Sequence, residues 1–136
     1  MKICIPASLL EQLRQQACAT PEVEICGLIV ARNGQPVRCI QIRNIAEQPR
    51  QHFNMEPREQ IAAFRQLREQ GEELFAIYHS HPDGPAAPSA TDIREAGYPD
   101  ALQLIIAPHQ DGSAEIRGYY FRDGRAAPAE IDALDS

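Results

Sequence analysis

The chain has 136 residues, a formal charge of −6 and 43% hydrophobic content, which is the length of one domain with enough apolar side chains for a core. The acidic balance excludes partners that demand clustered Lys and Arg, nucleic acid and anionic membrane surfaces among them. No apolar run approaches the roughly 18 to 20 residues that span a bilayer; Cys4, Cys18, Cys26 and Cys39 show no CxxC pairing and follow no signal peptide, so free thiols in a reducing cytoplasm are expected.

Residues 2–5 read as a short first strand. Pro6 and Ser8 then mark a helix start, followed by Leu9, Leu10, Leu13 and Ala17 at helical spacing, with Ser8 and Glu11 as its capping box. Residues 25–31, ICGLIVA, are β-branched and apolar enough for an interior strand, and Glu22 and Glu24 stand at its mouth. Asn33-Gly34 signals a tight hairpin into an antiparallel strand over 37–42. Residues 44–54 carry Pro49 and no period, and read as a loop or irregular edge. Pro57 opens a second helix with Ile61, Phe64 and Leu67 on one face, closed by Gly71. Residues 74–78, LFAIY, form the next buried strand, with His79 at its C-terminal end. Ser89 begins a short third helix ending near Gly97, residues 102–107 form another apolar strand, and Asp111-Gly112 turns the chain into a strand over 115–122. Residues 124–136 read as a loose tail. Interleaved strands and helices with two hairpins predict the α/β class, a mixed β-sheet flanked by helices in a single domain over 1–136.

The chemistry concentrates between Tyr78 and Asp92, YHSHPDGPAAPSATD. Side chains two apart on a strand share a face, so His79 and His81 can reach one point. Two imidazoles on one face suit zinc, which in a catalytic site takes three protein ligands and keeps a fourth position open. Asp92 is the obvious third ligand, folded back by the proline-rich loop of residues 82–88. His52 and His109 read as surface or satisfied core groups. Ser89 and Asp92 alone would be an ordinary helix cap; beside a His-x-His pair they complete an open metal site. Proton transfer to a leaving group requires a base in addition. No HExxH helix supplies one, and between Glu22 and Glu24 composition does not choose.

These residues resemble a known signature. Glu24-Ile25-Cys26-Gly27, then HSHP, seven residues, and Ser89-x-x-Asp92 match the E…HxH…x7…SxxD pattern of the JAMM (MPN-plus) metalloproteases, and FNMEP at 53–57 is similar to the small prokaryotic members. The resemblance implies a cytidine-deaminase-like fold, one zinc per chain held by His79, His81 and Asp92, Glu24 as the base, and Ser89 as a stabiliser of the oxyanion. Cys26 reads as a small buried hydrophobe. It further implies a peptidase acting at the C-terminus of a ubiquitin-like protein, foremost a sulfur carrier with a Gly-Gly end. An isopeptidase acting on protein conjugates and a non-catalytic scaffold are the alternatives; a nucleoside deaminase would need a P-C-x-x-C zinc pair that is absent from the chain.

Overall fold

The computed structural model describes residues 2–98 and 100–135. Its elements are β1 (Lys2–Pro6), α1 (Ala7–Ala19), β2 (Cys26–Arg32), β3 (Gln35–Ile42), α2 (Pro57–Glu69), β4 (Glu73–Ser80), α3 (Ala90–Glu95), β5 (Leu102–Pro108), β6 (Ala114–Arg122) and β7 (Arg125–Leu134). The strands form one seven-stranded sheet in the order β1-β7-β6-β5-β4-β2-β3. β1 with β7 and β4 with β5 are parallel, and the other neighbours are antiparallel. The expected mixed sheet flanked by helices is present.

Strand alternation divides the core between the two faces. On one face Leu9, Leu13 and Ala17 of α1 pack against Ile29, Ala76, Tyr78, Leu102, Leu104 and Ile106. Full burial of each such leucine contributes about 1.5–3 kcal/mol. On the other face α2 brings Ala63 against Cys26, Leu28, Ile42 and Ile77, while Ile93 of α3 packs on a cluster containing Ala86, Ile105 and Phe121. The Asn33-Gly34 hairpin forms as expected, with φ of 52° and 78° at its two central residues, the pair of positive values a type I′ turn demands.

Three expectations are corrected. Residues 125–134 are no loose tail: β7 pairs with β6 on one side and with β1 on the other, bringing the first and last strands together; only Ser136 lies outside the described residues there. The run RAAPAEIDAL has weak β-propensity, and neighbours on both sides supply what propensity does not. The Ser8–Glu11 capping box does not form, because α1 begins at Ala7 with Pro6 as N-cap and no side-chain cap bond, while Glu11 pairs with Arg14 one turn on. Ile61 is 60% exposed: the buried stripe of α2 runs through Ala63 and Leu67, and Ile61 falls off it.

Gly27 is required by close packing. A Cβ there would lie 2.5 Å from the Tyr78 hydroxyl and would also strike the Ile40 carbonyl. Tyr78 is fully buried and donates to Gln16 Oε1 of α1 at 2.7 Å, so its ring cannot retreat. Gly27→Ala is therefore expected to destabilise the fold by about 1–3 kcal/mol, read as a lowered urea midpoint; an unchanged midpoint would show that the sheet gives way freely.

Candidate metal centre

β2 and β4 run antiparallel with Cys26 opposite His79, and this register brings residues more than fifty positions apart into one site. Ser80 locks the junction. Its Oγ accepts the Ile25 N–H at 2.9 Å and its own N–H donates to Ile25 O at 3.0 Å. Glu24 is thereby fixed just beyond the end of β2, beside the C-terminal end of β4. The loop over residues 44–55 grips the same residue from the other side. Glu24 N–H donates to Pro49 O at 2.7 Å, and Asn44 Nδ2 donates to Glu24 O at 3.0 Å. Asn44 also organises the loop itself, its Oδ1 accepting from Ala46 and Asn54. A bidentate Arg50–Asp83 pair with bonds of 2.5 and 2.6 Å joins this loop to the turn after His81; being exposed, it contributes about 0–1 kcal/mol.

His79 and His81 do share a face. His79 Nε2, His81 Nε2 and Asp92 Oδ2 form a triangle with edges of 3.1, 3.0 and 3.3 Å. Three such atoms repel one another unless a proton or a metal cation sits among them, and ligands at tetrahedral zinc distances lie about 3.3 Å apart. The donor set and its spacing fit a dication. Each ring is also held in place. His81 Nδ1 donates to Pro85 O at 3.0 Å, which leaves Nε2 as the unprotonated nitrogen turned toward the triangle. Phe53 stacks on the His79 ring at 4.5 Å. Glu24 offers a carboxylate oxygen within 4.8 Å of a ring nitrogen of each imidazole. Glu24 Oε1 and His79 Nδ1 are buried without a hydrogen-bond partner among the described residues; a buried carboxylate oxygen without a donor indicates a group that belongs there and forms no part of the fold.

Burial and neighbours drive the two carboxylates apart. Burial pushes the Glu24 carboxyl up to about 8, with His81 pulling the other way and Asp92 adding to the rise. Burial pushes the Asp92 carboxyl up, but the adjacent His79 and His81 imidazoles and the Ser89 N–H outweigh it and hold it well below the carboxylate range. The same contacts raise His81 against its burial, whereas burial dominates at His79 and lowers it. Two acids with opposed protonation in one site are the ordinary signature of divided acid–base and electrostatic roles.

The third helix carries the remaining pair. Ser89 is its N-cap, accepting from Asp92 N–H at 3.0 Å, while Asp92 Oδ2 accepts from Ser89 N–H at 2.9 Å. The cap and the site residue are thus one carboxylate, and the Ser89 hydroxyl keeps its proton to donate outward. Glu22, His52 and His109 stand outside the triangle. A groove of about 1000 Å³ opens from the cluster between the 44–55 loop and α3, lined by Phe53, Met55, Ile77, Gln103 and Phe121 as well as His79 and Asp92. Sequence reasoning missed Ser80, Asn44 and Gln103 here; the last could have been found as the one polar residue inside the apolar run LQLIIA.

The family model for prokaryotic homologs of the JAB domain matches residues 6–118. The chain belongs to that family. This JAB domain is 30% identical over 119 residues to a desampylase of Haloferax volcanii, covering 85% of this chain and 86% of the relative. It is 27% identical over 135 residues to a CysO-cysteine peptidase of Mycobacterium tuberculosis, covering 98% and 92%. The solution structure of a Desulfitobacterium hafniense protein superposes with a TM-score of 0.86 at 28% identity, over 100% of this chain and 94% of that one. The JAB domain is accordingly a hydrolase of the peptidase type, and Glu24, His79 and His81 form a cluster that could hold a metal ion. No helix among the described residues is long and apolar enough to cross a membrane.

Proposed function

We propose that this JAB domain is a zinc peptidase that hydrolyses a peptide or isopeptide bond at the C-terminus of a ubiquitin-like sulfur-carrier protein with a Gly-Gly end, in a cytoplasm where its four cysteines remain thiols. The convergence of His79 Nε2, His81 Nε2 and Asp92 Oδ2 within 3.0–3.3 Å carries the reading, and these three atoms would hold the metal. Zinc bound there would supply Lewis acidity toward a carbonyl and its attacking water. Glu24 takes the proton of that water and delivers it to the departing nitrogen. It is the carboxylate form that accepts the proton, which a dication bound beside it would favour, while burial raises the carboxylate's affinity for that proton. Ser89 turns its hydroxyl proton to the developing oxyanion while Asp92 N–H holds its oxygen in place. Pro85, Phe53 and Ser80 act only by holding His81, His79 and Glu24 in register.

The substrate class is supported by the relatives, one named a desampylase and another a CysO-cysteine peptidase. The test uses Gly-Gly-ended ubiquitin-like proteins carrying a C-terminal extension, incubated with zinc-loaded protein with and without a chelator and read by mass spectrometry. Loss of the extension after the Gly-Gly pair, abolished by chelator and restored by zinc, is expected. Intact masses for every candidate at full zinc occupancy would return the domain to the scaffold alternative.

A further inference from the structure

Gln103 interrupts β5, whose other residues are apolar. Alternation sends Leu102, Leu104 and Ile106 toward α1 and turns Gln103 to the opposite face, between Ile77 and Tyr119 on the adjacent strands. It is only 4% exposed, and its amide atoms are not among those sealed from solvent without a partner: what stays open lies at the groove. A carboxamide turned to a groove serves no partner within the sheet, and Leu or Met would fill the same space in the strand. The side chain borders the groove that also holds His79 and Asp92. Tyr119 cannot serve it as a donor, since its hydroxyl already donates to Ala86 O.

A primary amide is neutral, and it presents a donor and an acceptor in the same geometry as a peptide group. Its natural complement on the floor of a groove of mixed polarity is another peptide group, whose own N–H and C=O lose water on entering. We propose that Gln103 is a substrate-binding residue whose carboxamide pairs with the main chain of an extended peptide segment lying in the groove between the 44–55 loop and α3. Such a contact reads backbone position without reading side chains, so it suits a segment that has few of them. This inference rests on the peptidase reading of the site.

The test uses full-length zinc-loaded Glu24→Gln protein, in which peptide stays uncut, with and without a second change, Gln103→Leu or Gln103→Met. The probes are a synthetic peptide spanning the Gly-Gly end of a ubiquitin-like protein with a short extension, and analogues in which one main-chain N–H at a time is replaced by an ester oxygen. Both Gln103 variants should bind the all-amide peptide about tenfold more weakly. One ester analogue should bind as weakly to the Gln103 protein and lose nothing further on substitution. The melting temperature of both variants should hold or rise, the reverse of what loss of a structural residue produces. Unchanged dissociation constants across the whole set would overturn the inference alone. Weakening confined to a variant that also melts lower would do the same. If the parent bound none of the peptides, the peptidase reading would fall and take this inference with it.

Discussion

Glu24→Gln should take up zinc as the parent does and lose about 10²- to 10⁴-fold in turnover, the range a positioned general base supplies. The substitution keeps the volume and one acceptor while removing the group that can carry a proton. Zinc stoichiometry and cleavage rate have to be measured on the same preparation. Parental turnover at full zinc would remove Glu24 from the reaction.

The metal-free variant should also be the more stable protein at neutral pH. In the unfolded chain Glu24 ionises near 4.5, while in the folded metal-free chain burial keeps it protonated up to about 8. Folding therefore takes up a proton between those values, and stability declines as pH rises through that window. Glutamine has no proton to lose. Melting curves of the two metal-free proteins should coincide near pH 4 and separate progressively toward pH 8, with the variant higher; parallel curves would show that Glu24 ionises freely in the folded state.

Asp92→Ala is expected to cost zinc affinity by more than about 100-fold, since even removal of a group that merely orients a ligand costs 10- to 100-fold. It should also cost about 1 kcal/mol at the start of α3, because the same Oδ2 closes the capping box. Asp92→Asn separates the two roles. Its amide oxygen can still accept from Ser89 N–H, yet it is a far poorer partner for a dication than a carboxylate. Asn should thus keep the helix and lose the metal, whereas Ala loses both. Stoichiometric zinc in dialysed Asp92→Ala would exclude Asp92 as a ligand.

The strands and the site were legible in the sequence to different depths and for different reasons. β2, β4 and β5 are continuous apolar runs, and Asn33-Gly34 requires no context to turn. β7 was not legible, because Pro128 and its alanines carry no strand signal and its pairing is decided by β1 and β6. Ile61 was misplaced because a 13-residue helix with apolar residues at 61, 63, 64 and 67 admits more than one stripe, and packing chooses between them. In the site, His79, His81, Asp92 and Glu24 could be named because their spacing repeats a pattern. Asn44 could not, since its work is done on the backbone carbonyl of Glu24, and main-chain contacts across a loop without periodicity leave no pattern in side-chain types. Gln103 lay within a strand read correctly as apolar, where its polarity was the exception.

The pairing of β1 with β7 bears on how the protein is made. Lys2 lies opposite Glu130 and Pro6 opposite Leu134, so β1 has no strand edge to join until β7, far later in the chain, has emerged. Closing so long a loop is slow in chain-entropy terms. During synthesis, Ile3 and Ile5 of β1 have only α1 to cover them, and the strand's backbone edge stays open to a chaperone or a neighbouring nascent chain.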